Sequence, residues 1–270
     1  ELPPGDEIIV TVSFVPDDVL QFSGTLTVNS DDPYNPYVGA DQDGDGDSGG
    51  NFQDTYVQQG NNWSDVLWVV DNSCSMEEEQ GKLGDDFSYF YSIINNAGVD
   101  YHLSTVTTDN AGFTGVYTVI YPTTPNGAQV FEQNCNVGTN GSWTEQGLKF
   151  GYDALVWARN NQAPNQNFWR DDAGLRVVYG SDEEDQSPDP VSYYLDFYYA
   201  VKSPVDGWEA YRDDTILNIS AVVGDIPDGC EQASGADVYP AAPGYRYVDL
   251  AQRTGGVYDS ICNEDFSPLV

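Results

Sequence analysis

The stretch Val66-Leu67-Trp68-Val69-Val70-Asp71-Asn72-Ser73-Cys74-Ser75-Met76 decides how this chain is read. Its five leading apolar residues read as a short strand buried on both faces. The run then turns polar, and from Met76 to Asn96 the period becomes helical: Leu83, Phe87, Phe90 and Ile94 recur at spacings of four, three and four. Glu77, Glu78 and Glu79 fall in the first turn, where the helix dipole favours acids. Asp71, Ser73 and Ser75 therefore sit in the loop at a strand's carboxyl end, where parallel sheets bind ligands. One carboxylate and two hydroxyls at alternate positions are hard oxygen donors suited to Mg²⁺, Mn²⁺ or Ca²⁺. Ser75 followed by acids is equally good helix-capping chemistry. A cap accounts for Ser75 but leaves Asp71 and Ser73 unexplained.

Outward from this unit the pattern repeats. Strands are predicted over Tyr101–Thr108, Gly115–Tyr121, Leu175–Tyr179, Ile216–Val223 and Val257–Ile261. Helices are predicted over Glu145–Arg159, with Leu148, Tyr152, Leu155 and Val156 on one stripe, and over Tyr247–Arg253, closed by Gly255-Gly256. Buried strands alternating with amphipathic helices predict an α/β domain with a doubly wound, mostly parallel sheet flanked by helices over 56–270.

Residues 1–40 read differently. Ile8–Phe14 and Phe22–Val28 are predicted strands, separated by the turn Pro16-Asp17-Asp18. Two strands do not stand alone as a sheet, so this segment reads as a small β-sandwich remnant or an arm completed by a neighbour. Residues 41–55 form an acidic Gly/Asp linker, in which Asp41, Asp43 and Asp45 precede Gly46. That spacing resembles the start of an EF-hand calcium loop, but its twelfth position is Phe52 and no helices flank it. A solvated linker and a looser loop holding an additional Ca²⁺ both remain open.

Composition limits the function. The 270 residues carry 9 basic and 44 acidic side chains, a net charge of −35. Phosphate binding needs a basic face, so nucleic acid is excluded as a partner, and an anionic membrane surface is disfavoured. The excess invites cations or basic partners, and it fits solubility in salty surroundings that screen self-repulsion. With 40% hydrophobic and 13% aromatic residues the chain can bury a core. No apolar run is long enough to cross a membrane, so direct insertion is not expected. The chain opens at Glu1, which reads as a processed product or fragment. Four cysteines permit two disulfides in three pairings, and one His is too few for a histidine-based metal site or triad.

Asp71-x-Ser73-x-Ser75 after an apolar strand resembles the metal-ion-dependent adhesion site of von Willebrand factor A domains. That family adds a Thr or Ser from a second loop about six residues before a helix Leu; Ser142 matches, counted back from Leu148, with Thr144 a near neighbour. It adds an Asp just past the fourth sheet strand, which Asp182 matches after Val177-Val178-Tyr179-Gly180-Ser181. Val106-Thr107-Thr108-Asp109 and Ser181-Asp182-Glu183-Glu184-Asp185 are similar to bacterial secreted members, which place Gly where this chain has Cys74. Phe14-x-Pro16, Gly24-Thr25-Leu26 and Asn29-Ser30-Asp31-Asp32-Pro33 look like the closing strands of an immunoglobulin-like repeat of bacterial surface proteins. The family normally ends in a helix after its last strand, so the chain reads as cut where that helix begins.

The resemblance implies a von Willebrand factor A-like fold and a divalent cation (Mg²⁺, Ca²⁺ or Mn²⁺) held by Asp71, Ser73, Ser75, Ser142 and Asp182. It implies an extracellular, metal-dependent adhesion module, not an enzyme, whose ion is completed by an exposed acidic side chain of a protein partner. Bringing the Cys74 and Ser142 loops together at the metal implies a Cys74–Cys135 disulfide, with Cys230–Cys262 as the second. The alternative is a structural subunit of a surface filament or fibre, self-assembling through the metal or the N-terminal β segment. Glu183, Glu184, Asp185 and Asp189 read as a solvated acidic rim, in preference to a second cation site or a selector of basic partner groups.

Overall fold

The computed structural model describes residues 21–29, 37–45, 63–161, 167–171, 173–202, 217–231 and 240–263. The chain divides into two units, 1–60 and 61–270.

In the first unit β1 (Gln21–Asn29) pairs antiparallel with β2 (Tyr37–Asp45), from Gln21 opposite Asp45 to Asn29 opposite Tyr37. The expected strand Phe22–Val28 is present, but its partner follows it in sequence; Ile8–Phe14 lies outside the described residues. This corrects the linker reading at 41–45. Asp41, Asp43 and Asp45 stand opposite Thr25, Ser23 and Gln21 in an extended ladder. Alternate strand residues lie about 7 Å apart, whereas a calcium loop curls its oxygens around one ion at roughly 2.4 Å. The extended backbone of 41–45 differs from the curled backbone of an EF-hand loop. Residues 46–55 of the expected linker lie outside the described residues.

The second unit is the α/β fold expected. Five parallel strands lie in the order β4-β3-β5-β6-β7. They are β3 (Trp63–Val70), β4 (Asp100–Thr107), β5 (Gly174–Ser181), β6 (Leu217–Val223) and β7 (Tyr258–Ser260). The helices are α1 (Glu77–Asn96), α2 (Gly127–Cys135), α3 (Gly147–Asn160), α4 (Val191–Val201) and α5 (Tyr245–Arg253). Strand alternation sorts them to two faces. Leu67 and Val69 of β3 pack in one core with Leu148 and Leu155 of α3, Tyr198 of α4 and Val248 of α5. Val66, Trp68 and Val70 pack in the other with Met76, Phe131 of α2 and Phe90 of α1. Trp68 meets Phe90 and Phe131 edge-on. The side chains of Leu83 and Phe87 lie outside what the structure describes.

Three expectations need correction. Gly115–Tyr121 is not a strand; only Leu103 and Ile120 bridge, because the glycine- and threonine-rich approach turns repeatedly before reaching β4. Two helices, α2 and α4, stand where none was expected, α4 because its five aromatic and four aliphatic residues mask the helical period. The Cys74–Cys135 bridge is absent. Cys135 ends α2 inside the core, with Sγ 3.5 Å from Thr105 Oγ1, while Cys74 is exposed. Cys230–Cys262 is formed and ties the loop after β6 to the chain after β7. Closing a loop of that length contributes about 3–4 kcal/mol.

The crossover order places the site. The chain leaves β3 for β4 on one side and returns to β5 on the other, so the crevice between β3 and β5 is the topological switch point. Asp71 follows β3 directly and Asp182 follows β5 directly.

Candidate metal centre

At the end of β3 the Asp71 N–H donates to Gly180 O of β5 at 2.9 Å, holding the two strand ends together. Its carboxylate is fully buried: Oδ1 accepts the Ser73 N–H at 2.8 Å and Oδ2 the Ser181 hydroxyl at 2.5 Å. The Ser73 and Ser75 hydroxyls stand 3.0 Å apart. Ser75 lies in a 3-10 turn (Cys74–Met76) that leads into α1, whose N-cap is Met76. Neither the turn nor the helix carries a side-chain cap, which removes the capping account of Ser75. Asp182 is buried, hydrogen-bonds Ser75 through its side chain, and keeps Oδ1 without a hydrogen-bond partner. Asp71, Ser73, Ser75 and Asp182 are thus brought together.

The second loop arrives differently from expectation. Gly141 N–H donates to Asn72 O at 2.8 Å, and a Cβ at Gly141 would stand 2.4 Å from the end of the Asn72 side chain, which would have to move off its bond to Asp109. The Ser142 hydroxyl accepts the Thr144 N–H at 3.0 Å, inside its own loop, and Thr144 is exposed. The side chain of this loop that reaches Asp71 is Glu145. It is fully buried, accepts the Thr108 hydroxyl on Oε2, and through its carbonyl accepts the Gln186 N–H at 2.6 Å. Sequence reasoning passed over Glu145. Its signal was an acid three residues before Leu148, in step with the apolar stripe of the helix that follows.

Asp109 is the other residue missed. Its Oδ1 accepts the Thr107 hydroxyl at 2.6 Å and the Asn72 side-chain N–H at 3.1 Å, and its Oδ2 accepts the Ser142 N–H at 3.0 Å. One carboxylate thus joins the loops after β3, after β4 and before α3. Gln80 of α1 adds a second tie, donating to Asp71 O at 2.8 Å and Gly138 O at 2.9 Å.

The electrostatics are those of crowded acids. Burial raises the Asp71 carboxyl above the usual range despite its hydrogen bonds. Burial, then the Asp71 charge, pushes Asp182 up to about 7 and Glu145 up to about 8. Burial also raises Glu183. Among the described residues no basic side chain is paired with Asp71, Asp182 or Glu145, and no three carboxylate, His or Cys side chains are set to hold an ion by themselves. A divalent cation would have to be held by a mixed set. Two carboxylates, two neighbouring hydroxyls and the open Asp182 Oδ1 fit that chemistry.

His102 lies far from these loops, near the start of β4. Its Nδ1 is 3.0 Å from Phe168 O, and burial lowers its pKa. The same sheet end holds buried Asp65, which takes Arg170 Nε at 2.9 Å and Lys202 Nζ at 3.0 Å. Trp143, beside Ser142, is 85% exposed and so is not a packing residue. No helix among the described residues is long and apolar enough to cross a membrane.

No protein-family model matches the chain, and no curated protein matches it. Solved structures do. Proximal thread matrix protein 1 from the mussel byssus is 11% identical with a TM-score of 0.45, over 76% of this chain and 45% of that one. A second crystal form gives 10%, 0.43, 77% and 45%. The pilus adhesin SpaC from Lactobacillus rhamnosus GG is 12% identical with a TM-score of 0.43, over 77% of this chain and 29% of that one. The chain spans less than half the length of these matched structures.

Proposed function

We propose that this chain is an extracellular, metal-dependent protein-binding module of von Willebrand factor A type. The observation that carries the reading is the group of buried Asp71, Ser73 and Asp182 with half-buried Ser75 at the switch point, with an unsatisfied carboxylate oxygen and raised carboxyl pKa values. A divalent cation bound there supplies a positive bridge between this acidic surface and a carboxylate on a partner. Asp71 and Asp182 would supply the charged ligands, Ser73 and Ser75 the neutral ones, and Ser142 would close the set through its loop. Glu145 stands behind Asp71 and Asp109 orients the loops. Exposed Trp143 offers the partner an aromatic contact at the rim. This reading makes the site a binding site; His102 lies at the other end of the sheet, away from it. The Cys230–Cys262 bridge supports an oxidising, extracellular setting.

A second reading, a self-assembling structural subunit, would use the β1–β2 hairpin of the first unit for strand addition between copies.

Calorimetric titration of EDTA-stripped protein with Mg²⁺, Mn²⁺ and Ca²⁺, beside Asp71→Ala, tests the first reading. We expect one binding event in the wild type that the variant lacks. Equal binding by both proteins would refute it and leave the structural-subunit reading in the lead.

A further inference from the structure

Asp182 stands at the start of the loop after β5, and Asp185 is the side chain that ties this loop to its surroundings. The sequence placed Asp185 on a solvated rim, but it is buried. Its Oδ1 accepts the Leu148 N–H of α3 at 3.0 Å and the Ser187 hydroxyl at 2.7 Å. Its Oδ2 accepts the Ser187 N–H at 3.2 Å and forms an ion pair with Arg246 Nε of α5 at 3.0 Å. The Arg246 guanidinium also donates to the Asp189 carbonyl, and the Arg246 backbone N–H donates to Glu184 Oε1 at 3.1 Å. One helix residue thus grips the loop at positions 184, 185 and 189.

A grip needs a firm base, and the chain entering α5 supplies it. A Cβ at Gly224 would stand 2.0 Å from Ala242 O, so the end of β6 and this segment meet backbone to backbone. Gly244 N–H donates to Gly224 O at 3.0 Å. Ala241 and Cys230 exchange backbone hydrogen bonds of 2.9 and 3.1 Å, and Cys230 is half of the disulfide. From that seat Ala242 N–H donates to Asp182 O at 2.7 Å. The same short segment therefore holds the Asp182 backbone through residue 242 and the rest of the loop through Arg246. Charge makes the second hold necessary. Five acids fall between positions 182 and 189, and they repel one another. Arg246 sets a fixed positive charge against them, and without it the buried Asp185 carboxylate would lose its ion-pair partner.

We infer that Arg246 is a positioning residue of the metal centre: through its pairing with Asp185 it sets where Asp182 stands against Asp71 and Ser75, and so how tightly a divalent cation is held. This role rests on the metal-binding function proposed above. Arg246 is not itself a ligand and acts through Asp182, as outer partners of metal ligands do.

The test has a metal-free arm and a metal arm, both on the whole chain. In EDTA, Arg246→Gln should move the amide resonances of Ser75 and Asp182. Arg253→Gln, which breaks an exposed ion pair with Asp249 on the same helix, should leave them in place. In Mg²⁺ calorimetry, Arg246→Gln should weaken the event that depends on Asp71 by roughly tenfold or more. Arg246→Lys keeps the charge without the planar fork and should recover part of that loss; it also carries the comparison if the Gln variant does not fold. A general loosening of the fold is separated by Asp182→Asn: on that background Arg246→Gln should cost nothing further, because the residue it acts through is already impaired. Unmoved Ser75 and Asp182 resonances, a wild-type affinity in Arg246→Gln, or a full second loss on the Asp182→Asn background would each overturn the inference and leave the metal site standing. Absence of any Asp71-dependent event in the wild type is the other failure: it removes the metal reading and the positioning role with it.

Discussion

Asp71 and Asp109 do different work with the same chemical group. Asp71 is buried, and its hydrogen bonds do not offset the cost of burying its charge. Half-buried Asp109 spends both oxygens on donors from three loops. Asp109→Ala should therefore leave the fold standing, lower its stability by about 1–3 kcal/mol, and weaken the metal event about tenfold by loosening the loops; calorimetry and denaturant melts of the same variant measure both. An unchanged metal affinity would mean that the loops hold their places without it. The two unpaired thiols give a second check at this scale. Cys74 is exposed, whereas Cys135 is buried and its thiol pKa is pushed up by that burial. Under native conditions one thiol should react with a thiol reagent, rising to two on unfolding; no reaction in the native state would restore the Cys74–Cys135 bridge. At this scale the loop positions of Asp71, Ser73 and Ser75 were legible because a strand followed by a helix fixes where a loop must lie, whereas Asp182 was named only through the family resemblance. Glu145 and Asp109 were not legible, since the partners that tie them to other segments, Thr108 for Glu145 and Asn72 and Ser142 for Asp109, lie 37, 37 and 33 residues away.

Among the elements, β3 does the most. Its C-terminal end carries Asp71 and its N-terminal end carries Asp65, so one strand anchors opposite rims of the sheet. Asp65 is fully buried between Arg170 and Lys202, and Lys202 also stacks on Trp169. That cluster fastens the chain before β5 and the end of α4 to the starts of β3 and β4. Removing one partner of a buried ion pair leaves the other charge uncompensated. Asp65→Ala should cost about 3–5 kcal/mol in urea unfolding and leave metal affinity nearly unchanged, because the site is at the far strand end. A loss below about 1 kcal/mol would show that water reaches the cluster. The strands with clean apolar runs were legible in the sequence. Helix α4 was not, because its apolar residues, broken only by Ser192 and Asp196, cover nearly every face and leave little period to read.

Taken whole, the molecule carries a net charge of −35, and some of its acids are buried together. Asp182 and Glu145 are raised from 3.8 and 4.5 to about 7 and about 8. Between about pH 4.5 and about pH 8 the folded chain therefore holds protons that the unfolded chain has lost. Stability from these groups is present at lower pH and is lost as pH rises through their folded values. His102 acts the other way at and below about pH 6.5, since burial lowers its pKa and the unfolded chain then holds the extra proton. The EDTA-stripped protein should lose stability as pH rises over that range, by at most about 1.4 kcal/mol per pH unit for each proton released. Glu145→Gln should flatten the slope, and saturating Mg²⁺ should raise the melting temperature most at the high-pH end. Melting curves that rise with pH in EDTA would contradict the burial of these acids.

By itself the sequence determined the strand–helix alternation of the larger unit, the parallel sheet and the strand-end position of the D-x-S-x-S loop. These follow from local periodicity and from the handful of ways such units pack. Tertiary structure alone decided which distant loop residue meets Asp71, which cysteines pair, and which strand accompanies Gln21–Asn29. Each of those is a contact between segments far apart in the chain or between rival neighbours, and local pattern assigns a residue its face without naming what lies against it. Cys135 illustrates the point: its helix turned it into the core beside Thr105, out of reach of Cys74, and no spacing in the chain records that turn.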